Sequence, residues 1–371
     1  MISKIIDEDI IQKIHRLLQK CNNIVLLTHE HPDGDALGSA LAMYDYLRLE
    51  GKRVSVIVPD EIPSFLQWMP AADAIVVYEQ DPETARSLLG QAELIMFLDL
   101  NSLNRVGTMA SFISQLTVHK VLIDHHNHRE KPLAHLEIRL PEMASTSEMV
   151  FRYICRVGAF EKLSKECAVC IYTGMMTDTG AFTYNSQSEE MYLIINQLLL
   201  KGINKDEIYK KVYGTYNESR MRLMGYVLYE KMEVLPEFQT AIITLSREEL
   251  DRFEHQAGDT DGFVNLPLSM SNVRFSVFLR EEDEIRISLR SEGELSTSTI
   301  AAELFNGGGH TNASGATYQG SLEEAKQKIK EALPKYLRPQ VNEENKSAEK
   351  ADDPIAKPKE KKTENSKEID T

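Results

Sequence analysis

Apolar residues recur along this chain in two rhythms. Ile5 to Leu18 places them at helical spacing, and Asn22 and Asn23 punctuate the end of that segment. Ile24–Thr28, Val54–Val58, Ala74–Tyr78, Glu93–Leu100 and Lys120–Ile123 are instead short, nearly continuous apolar runs. Runs of that length predict strands buried on both faces of a parallel sheet. Helical segments lie between several of them, one over 36–50 closed by Gly51. The alternation predicts an α/β domain with a mostly parallel sheet, whose ligand-bearing groups should cluster just beyond the strand ends.

Farther on, Ser145 and Glu148 predict a capping box opening a helix to about Val157. Helices are expected over 164–176 and over 188–200, the latter stopping near Gly202. Asn204 and Glu207 give a second capping signal. Residues 204–230 are expected to be helical and able to bridge two domains.

A second α/β pattern starts near Thr240, where AIITL is a strand and Ser246 with Glu249 caps a short helix. Residues 273–279 and 284–290 alternate with period two across an acidic turn, which predicts a hairpin. A short helix falls within 296–305, and the last helix runs 322–333, ended by Pro334. The expected organisation is a catalytic domain over 1–190, a helical linker over 191–235 and a smaller α/β domain over 236–338. Residues 339–371 form a charged tail: 341–371 alone holds nine acidic and seven basic side chains and no aromatic. Such a segment buries too little apolar area to offset its ordering entropy and is expected to be disordered.

Composition narrows the function. The 371 residues carry 42 basic and 57 acidic side chains, a net charge of −15. That balance argues against a long grip on duplex nucleic acid, which depends on neutralised phosphates, but leaves room for a short phosphate-bearing substrate. Cys167 and Cys170 have the spacing of a metal knuckle, but no second knuckle follows, so a buried reduced pair is expected. Met1–Lys20 lacks the apolar core of a signal peptide, and no stretch reaches the ~18 apolar residues of a membrane span. A cytoplasmic protein with no membrane partner is expected. An apolar helix face in 188–230 is open to a homodimer contact or to packing on its own chain.

The chemistry concentrates at four strand or helix ends. THEHPDGDALGS (28–39) follows the first strand and offers His29, Asp33 and Asp35; Gly38, in the first turn of the next helix, permits close packing. Asp99 ends the apolar run ELIMFLDL, where a carboxylate is costly unless bonded or metal-bound. VLIDHHNH (121–128) runs a strand into Asp124, His125 and His126. Asp124 suits a hydrogen bond to one imidazole, His125 suits a metal, and His126 is left for substrate or proton transfer. Asp178, in TGMMTDTGAF, lies where a helix gives way to small residues. His29, Asp33, Asp35, Asp99, His125 and Asp178 are too many oxygen and nitrogen donors for one catalytic zinc and about right for two divalent cations. Paired carboxylates for glycoside hydrolysis would not need the histidines, so phosphoester hydrolysis is the better reading. In the second pattern, Gly307, Gly308, Gly309 and His310 offer a backbone approach to an anion. Arg290 and Ser291 offer a guanidinium and a hydroxyl. Arg274 is either a further phosphate or base contact or an outward surface residue.

These stretches resemble the DHH family of phosphoesterases: His29 with HPDGDALGS, the Asp99 strand end, DHH at 124–126, TDTGAF at 177–182, and GGGHTNASG at 307–315 like the signature of the associated C-terminal domain. The resemblance covers roughly residues 5–335. It is strongest to the short branch that hydrolyses very short RNA to 5′-mononucleotides and removes the 3′-phosphate of 3′-phosphoadenosine-5′-phosphate. The alternative is a hydrolase dedicated to linear or cyclic dinucleotides, pApA or cyclic di-AMP. The resemblance implies two Mn²⁺ ions, with Mg²⁺, Co²⁺ or Zn²⁺ as other occupants. His29, Asp33 and Asp99 would hold one ion, and Asp35, Asp99, His125 and Asp178 the other. Asp99, Asp124 and His126 would serve catalysis, with His126 facing the phosphate or the attacking water. Arg290, Ser291 and the 307–310 turn would take the substrate. In this branch the second histidine of the first motif, His31, stands where relatives vary, so it competes with His29 as the ligand.

Overall fold

A computed structural model describes residues 3–126, 132–256 and 258–337. The tail over 339–371, and His128 of the histidine cluster, lie outside the described residues.

The first half alternates as expected: α1 (Glu8–Lys20), β1 (Asn23–Leu27), α2 (Gly34–Leu49), β2 (Arg53–Val58), β3 (Ile75–Val77), α3 (Pro82–Gln91), β4 (Leu94–Leu98), α4 (Ala110–Gln115), β5 (His119–Asp124) and β6 (Leu136–Arg139). The six strands form one parallel sheet in the order β3-β2-β1-β4-β5-β6. Alternate strand residues enter opposite cores. Leu26, Met96, Leu98 and Ile123 face one layer, and Val25, Leu27, Phe97 and Leu122 the other. Burial on both faces is why these strands read as unbroken apolar runs. The chain leaves β1 toward one side of the sheet and later reaches β4 on the other. The carboxyl ends of β1 and β4 therefore border the crevice where such sheets bind ligands.

α5 (Thr146–Arg156), α6 (Lys165–Asp178) and α7 (Glu189–Leu200) complete this half. α2 is buried almost all round, between the sheet and α5 and α6, which explains its lack of a polar face. Gly38 is what lets α2 and α6 touch: a Cβ there would lie 2.7 Å from the Cys170 carbonyl oxygen and 2.9 Å from Gly174 backbone. The cap on α5 is half of the expected box. Ser145 accepts from the Glu148 N–H, but the Glu148 carboxylate accepts from Arg152 instead of returning to the cap. Cys167 and Cys170 are buried free thiols on α6.

The expected helix over 204–230 is broken in two. α8 (Lys205–Tyr213) ends at Gly214, and α9 (Glu218–Tyr226) starts afresh because Asn217 caps it through the Arg220 N–H. One π turn, Val227–Lys231, then leads into β7 (Met232–Leu235). The second sheet adds β8 (Thr240–Leu245), α10 (Arg247–Arg252), β9 (Phe275–Glu281), β10 (Ile285–Ser291), α11 (Thr297–Phe305), β11 (Gly308–Gly309), β12 (Ala313–Tyr318) and α12 (Leu322–Tyr336). Its order is β11-β12-β10-β9-β8-β7, with β8–β9 parallel and the other pairs antiparallel. The β9–β10 hairpin and the Ser246–Glu249 capping box form as the spacing predicts. α12 passes through Pro334 rather than stopping there, and its last turn is held by Leu337 N–H to Leu333 O. The molecule is thus two α/β domains joined by helices. Several apolar side chains of the joining region stay exposed, among them Tyr192, Leu200, Tyr209 and Tyr229.

Candidate active site

β1, β4 and β5 end side by side, and each delivers a polar residue at its carboxyl end: His29, Asp99 and the Asp124–His126 run. α2 begins at the same edge. Its cap, Asp33, uses Oδ1 to accept the Asp35 and Ala36 N–H groups at 3.0 Å, and its Oδ2 lies 3.9 Å from His29 Nε2. Asp99 adopts a left-handed backbone (φ 57°), fixed by its N–H donating to Ile123 O. That turn aims its carboxylate at three imidazoles: His29 Nε2 at 3.4 Å, His125 Nε2 at 3.5 Å and His126 Nδ1 at 3.5 Å. His125 Nε2 is also 3.7 Å from Asp35 and 3.3 Å from Asp178, the last residue of α6.

Donor atoms therefore fall into overlapping groups, His29–Asp33–Asp99 and Asp35–Asp99–His125, with Asp178 beside the second. Asp99 belongs to both. Whether cations fit is decided by the imidazole protons. His29 Nδ1 donates to Glu30 O at 2.8 Å and His125 Nδ1 to Met143 O at 3.2 Å. A carbonyl only accepts, so the proton of each neutral ring is on Nδ1, and Nε2 presents a lone pair. Lone pairs facing carboxylates repel unless a positive charge lies between them. A pair of divalent cations meets that demand, and the donor set of imidazole and carboxylate suits Mn²⁺, Mg²⁺, Co²⁺ or Zn²⁺.

Without cations the same repulsion is relieved by protons. Burial opposes charge on His125, but Asp178, Asp99 and Asp35 outweigh it and push its pKa up to about 9. Asp35, deeply buried beside Asp99, is raised to about 7 even though Ser147 bonds it. Burial and neighbouring carboxylates raise Asp178 well above the usual range, against the pull of His125. Burial alone would raise Asp99 too, yet the His29 bond with the His126 and His125 charges holds it well below.

The surrounding contacts set orientation. Asp124 accepts from His126 Nδ1 at 2.7 Å and from Arg139 of β6 at 2.9 Å, so it positions His126, whose Nε2 has no hydrogen-bond partner among the described residues. Two supports carry no signal in the sequence. The N–H groups of Thr146 and Ser147, at the start of α5, donate to Asp35 at 2.6 and 2.8 Å, and Thr146 Oγ1 donates to Asp99 at 3.0 Å. The A-S-T-S-E stretch is visible as a cap; that it also bonds carboxylates elsewhere is not.

His31 stands apart from the donor groups. Its ring Nδ1 and its N–H both meet the carboxylate of Asp60, and its Nε2 meets Arg286 of β10, which ties the first motif to the second sheet. The histidine at the carboxylate cluster is His29.

From the second domain, His310 reaches the same place. Its ring stacks on His126 (4.9 Å between centroids, 21°) and lies 4.7 Å from His125. Burial and those two imidazoles push its pKa down to about 3, so it is neutral. Arg290 is within electrostatic reach of Tyr184, Asp178, Asp33 and Asp261; its Nη1 donates to Leu289 O at 3.0 Å, and its Nε has no hydrogen-bond partner among the described residues. Two expectations change. Ser291 sits on the opposite face of β10, as period two requires, and its hydroxyl donates to Leu295 O and accepts from Asn312. The glycines are not an open anion turn. Gly307 N–H donates to Ala301 O, Gly308 and Gly309 pair with β12, and His310 N–H donates to Ala313 O. A strand follows them rather than a helix, so these glycines serve close packing and aim His310: a Cβ on Gly307 would lie 2.3 Å from Gly315 O. Arg274 is exposed, in the outward position that the sequence left open.

A guanidinium with one N–H unpartnered and a neutral imidazole held beside two overlapping cation-binding groups suit one task, the cleavage of phosphate esters, and the molecule is a metal-dependent, two-metal phosphoesterase. Two family models match it, the DHH family N-terminal domain over residues 23–175 and the DHHA1 domain over 239–338. A bifunctional oligoribonuclease and PAP phosphatase, NrnA of Thermus thermophilus, is 31% identical across 85% of this chain and 90% of its own. The structure of an exopolyphosphatase-related protein from Bacteroides fragilis is 49% identical, with a TM-score of 0.84 over 90% of this chain and 98% of that one. RecJ of Thermus thermophilus, solved with Mn²⁺, shares the fold at 14% identity and a TM-score of 0.51, over 90% of this chain and 55% of that one. The chain belongs to the DHH family of phosphoesterases and is related to the NrnA-type enzymes.

Proposed function

We propose that the protein hydrolyses very short RNA to 5′-mononucleotides and removes the 3′-phosphate of 3′-phosphoadenosine-5′-phosphate. The observation that carries this reading is the placement of Asp99 in both donor groups, together with the unpartnered Nε of Arg290. In it, His29, Asp33 and Asp99 hold one cation and Asp35, Asp99, His125 and Asp178 the other, with Mn²⁺ the proposed metal. Two such cations would supply an activated water and neutralise charge on the phosphoryl oxygens. Arg290 binds a non-bridging phosphate oxygen through its free Nε. His126, held at Nδ1 by Asp124, presents Nε2 to the phosphate, and neutral His310 offers a hydrogen bond beside it without adding charge. In this reading the substrate lies in a gap between the domains: it enters with them apart, and their approach, which brings His310 onto His126, removes water from around the phosphate. A net charge of −15 repels a long acidic strand outside this gap and favours short ones.

Similarity to a cyclic-di-AMP phosphodiesterase, GdpP of Bacillus subtilis (26% identical over 87% of this chain and 49% of that protein), keeps a dinucleotide hydrolase as the rival. Purified protein with Mn²⁺ is given labelled RNA of two to twenty-four nucleotides, 3′-phosphoadenosine-5′-phosphate, pApA and cyclic di-AMP. Fast release of mononucleotide from two- to five-mers, little from the 24-mer, and phosphate release from the bisphosphate support the proposal. Cyclic di-AMP cleaved readily with RNA barely touched replaces it with the rival.

A further inference from the structure

Just past Asp178 the chain adopts a costly course. Gly180, Ala181, Phe182 and Asn185 all have left-handed backbone (φ 53°, 57°, 64° and 48°). Ala181 and Phe182 are not residues that adopt it readily, and for them that conformation costs roughly 1–2 kcal/mol each. The turn is held by a dense set of bonds. The N–H groups of Thr183 and Tyr184 donate to Thr179 O, Phe182 N–H donates to Thr179 Oγ1, and Ala181 N–H donates to Met176 O. The Phe182 ring anchors against Tyr172, 5.6 Å between centroids. Backbone strain maintained this firmly beside a reaction centre points to a side chain that must be delivered somewhere.

That side chain is Tyr184. Its ring lies over Gly180, where a Cβ would come within 2.2 Å of Cε1, so only glycine fits beneath it. The residue is 45% exposed. Asp178 and Asp33 of the first domain and Arg290 of the second are within its electrostatic reach. The ring therefore borders the gap in which a phosphate would sit between the cation-binding carboxylates and Arg290. One nucleoside beyond that phosphate, the exposed face is where a nucleobase comes to rest, and every base has a π face to lay on it.

We propose that Tyr184 is the stacking platform for the nucleobase of the nucleotide whose phosphate is attacked. The proposal rests on the nucleotide-substrate reading above and adds what recognises the base. The aromatic face carries the effect and the hydroxyl does not.

The test compares the wild type with Tyr184→Ala, Tyr184→Leu and Tyr184→Phe, each full-length and Mn²⁺-loaded. The substrates are 3′-phosphoadenosine-5′-phosphate and 1-deoxyribose 3,5-bisphosphate, which keeps both phosphates and has no base. Removing the ring should lower kcat/KM for the nucleotide by about 5- to 150-fold, the worth of one stacked base, and leave the base-free compound within about twofold. Tyr184→Phe should match the wild type. Equal losses on both substrates, no loss on either, or a Phe variant as impaired as the Ala variant would overturn the assignment. Calorimetry of AMP against ribose 5-phosphate reads the same discrimination without turnover. If the wild type hydrolyses neither substrate, the functional reading fails while this measurement still decides Tyr184. Should the Ala variant melt early, the Leu variant, which keeps apolar bulk over Gly180, carries the comparison.

Discussion

Substituting alanine for Gly38 should loosen the catalytic domain, although in an ordinary helix the change would help. Gly38 lies inside α2, where alanine is intrinsically favoured by about 0.5–1 kcal/mol. Its new methyl would sit 2.7 Å from Cys170 O and 2.9 Å from Gly174 Cα and N, all backbone atoms that no rotamer change can move. Relief requires α2 and α6 to separate by about 0.7 Å to reach the edge of ordinary contact at 3.4 Å. Overpacking of this kind costs about 1–3 kcal/mol, which exceeds the propensity gain. For a domain of this size the net loss should lower the melting temperature by roughly 2–8 °C. Asp35 is one turn upstream on α2 and depends on N–H groups of α5, so the shift should also weaken metal binding. Gly90 is the control: it lies near the end of α3, and a methyl added there would meet nothing within 4 Å. Gly90→Ala should therefore leave stability unchanged or raise it by up to about 1 kcal/mol. Calorimetric melts and metal titrations of both variants read the outcome. A Gly38→Ala protein as stable and as metal-avid as the wild type would refute the view that α2 and α6 meet at van der Waals limits.

Asp99→Ala should abolish turnover at every substrate concentration and reduce bound metal, measured by elemental analysis; full activity at normal metal content would end its role in both donor groups. Arg290→Ala should raise KM by roughly tenfold or more with a smaller effect on kcat, since it removes a phosphate contact and no metal ligand. The metal-free protein should lose stability as pH rises. Asp35 (about 7 folded, near 3.8 unfolded) makes the folded state hold the extra proton between those values, and His125 (about 9 against 6.5) does so at higher pH. Melting curves in chelator should therefore fall from pH 5 to 9, while added Mn²⁺ should rescue stability most at the alkaline end, because binding displaces those protons. A flat chelator profile would contradict this account.

The strands most readable in the sequence are those buried on both faces, because an unbroken apolar run of three to five residues between helical segments fits little else in an α/β chain. β6, β7 and β12 give no such signal. β6 is four residues at a sheet edge of which only Ile138 is fully buried, and β12 is the small-residue stretch ASGATY, whose strand state is imposed by pairing with β10. The break between α8 and α9 is written locally, in the Asn217 cap, but the apolar spacing on either side stays in phase and hides it. In the site, the strand-end residues His29, Asp99 and His125 are legible because charge at the end of a buried strand demands a reason. Ser291 is misplaced by a reading that overlooks how its neighbour Arg290 must face the other way. Tyr184 and the Thr146–Ser147 amides are invisible for a different reason: their partners lie far away in sequence, and no local pattern reports a distant contact.

Asp99 illustrates how a single position can be locked by two unrelated demands. Its backbone lies in the left-handed region, which aspartate and asparagine tolerate better than most residues with side chains. Its carboxylate is needed by two cation sites at once, which only aspartate and glutamate can serve. The two permitted sets intersect at one amino acid. A saturation library at this codon should accordingly hold asparagine and glycine, folding like the parent but inert, glutamate, charged but misdirected, and others lacking the carboxylate, so gradual drift has no neutral neighbour to pass through.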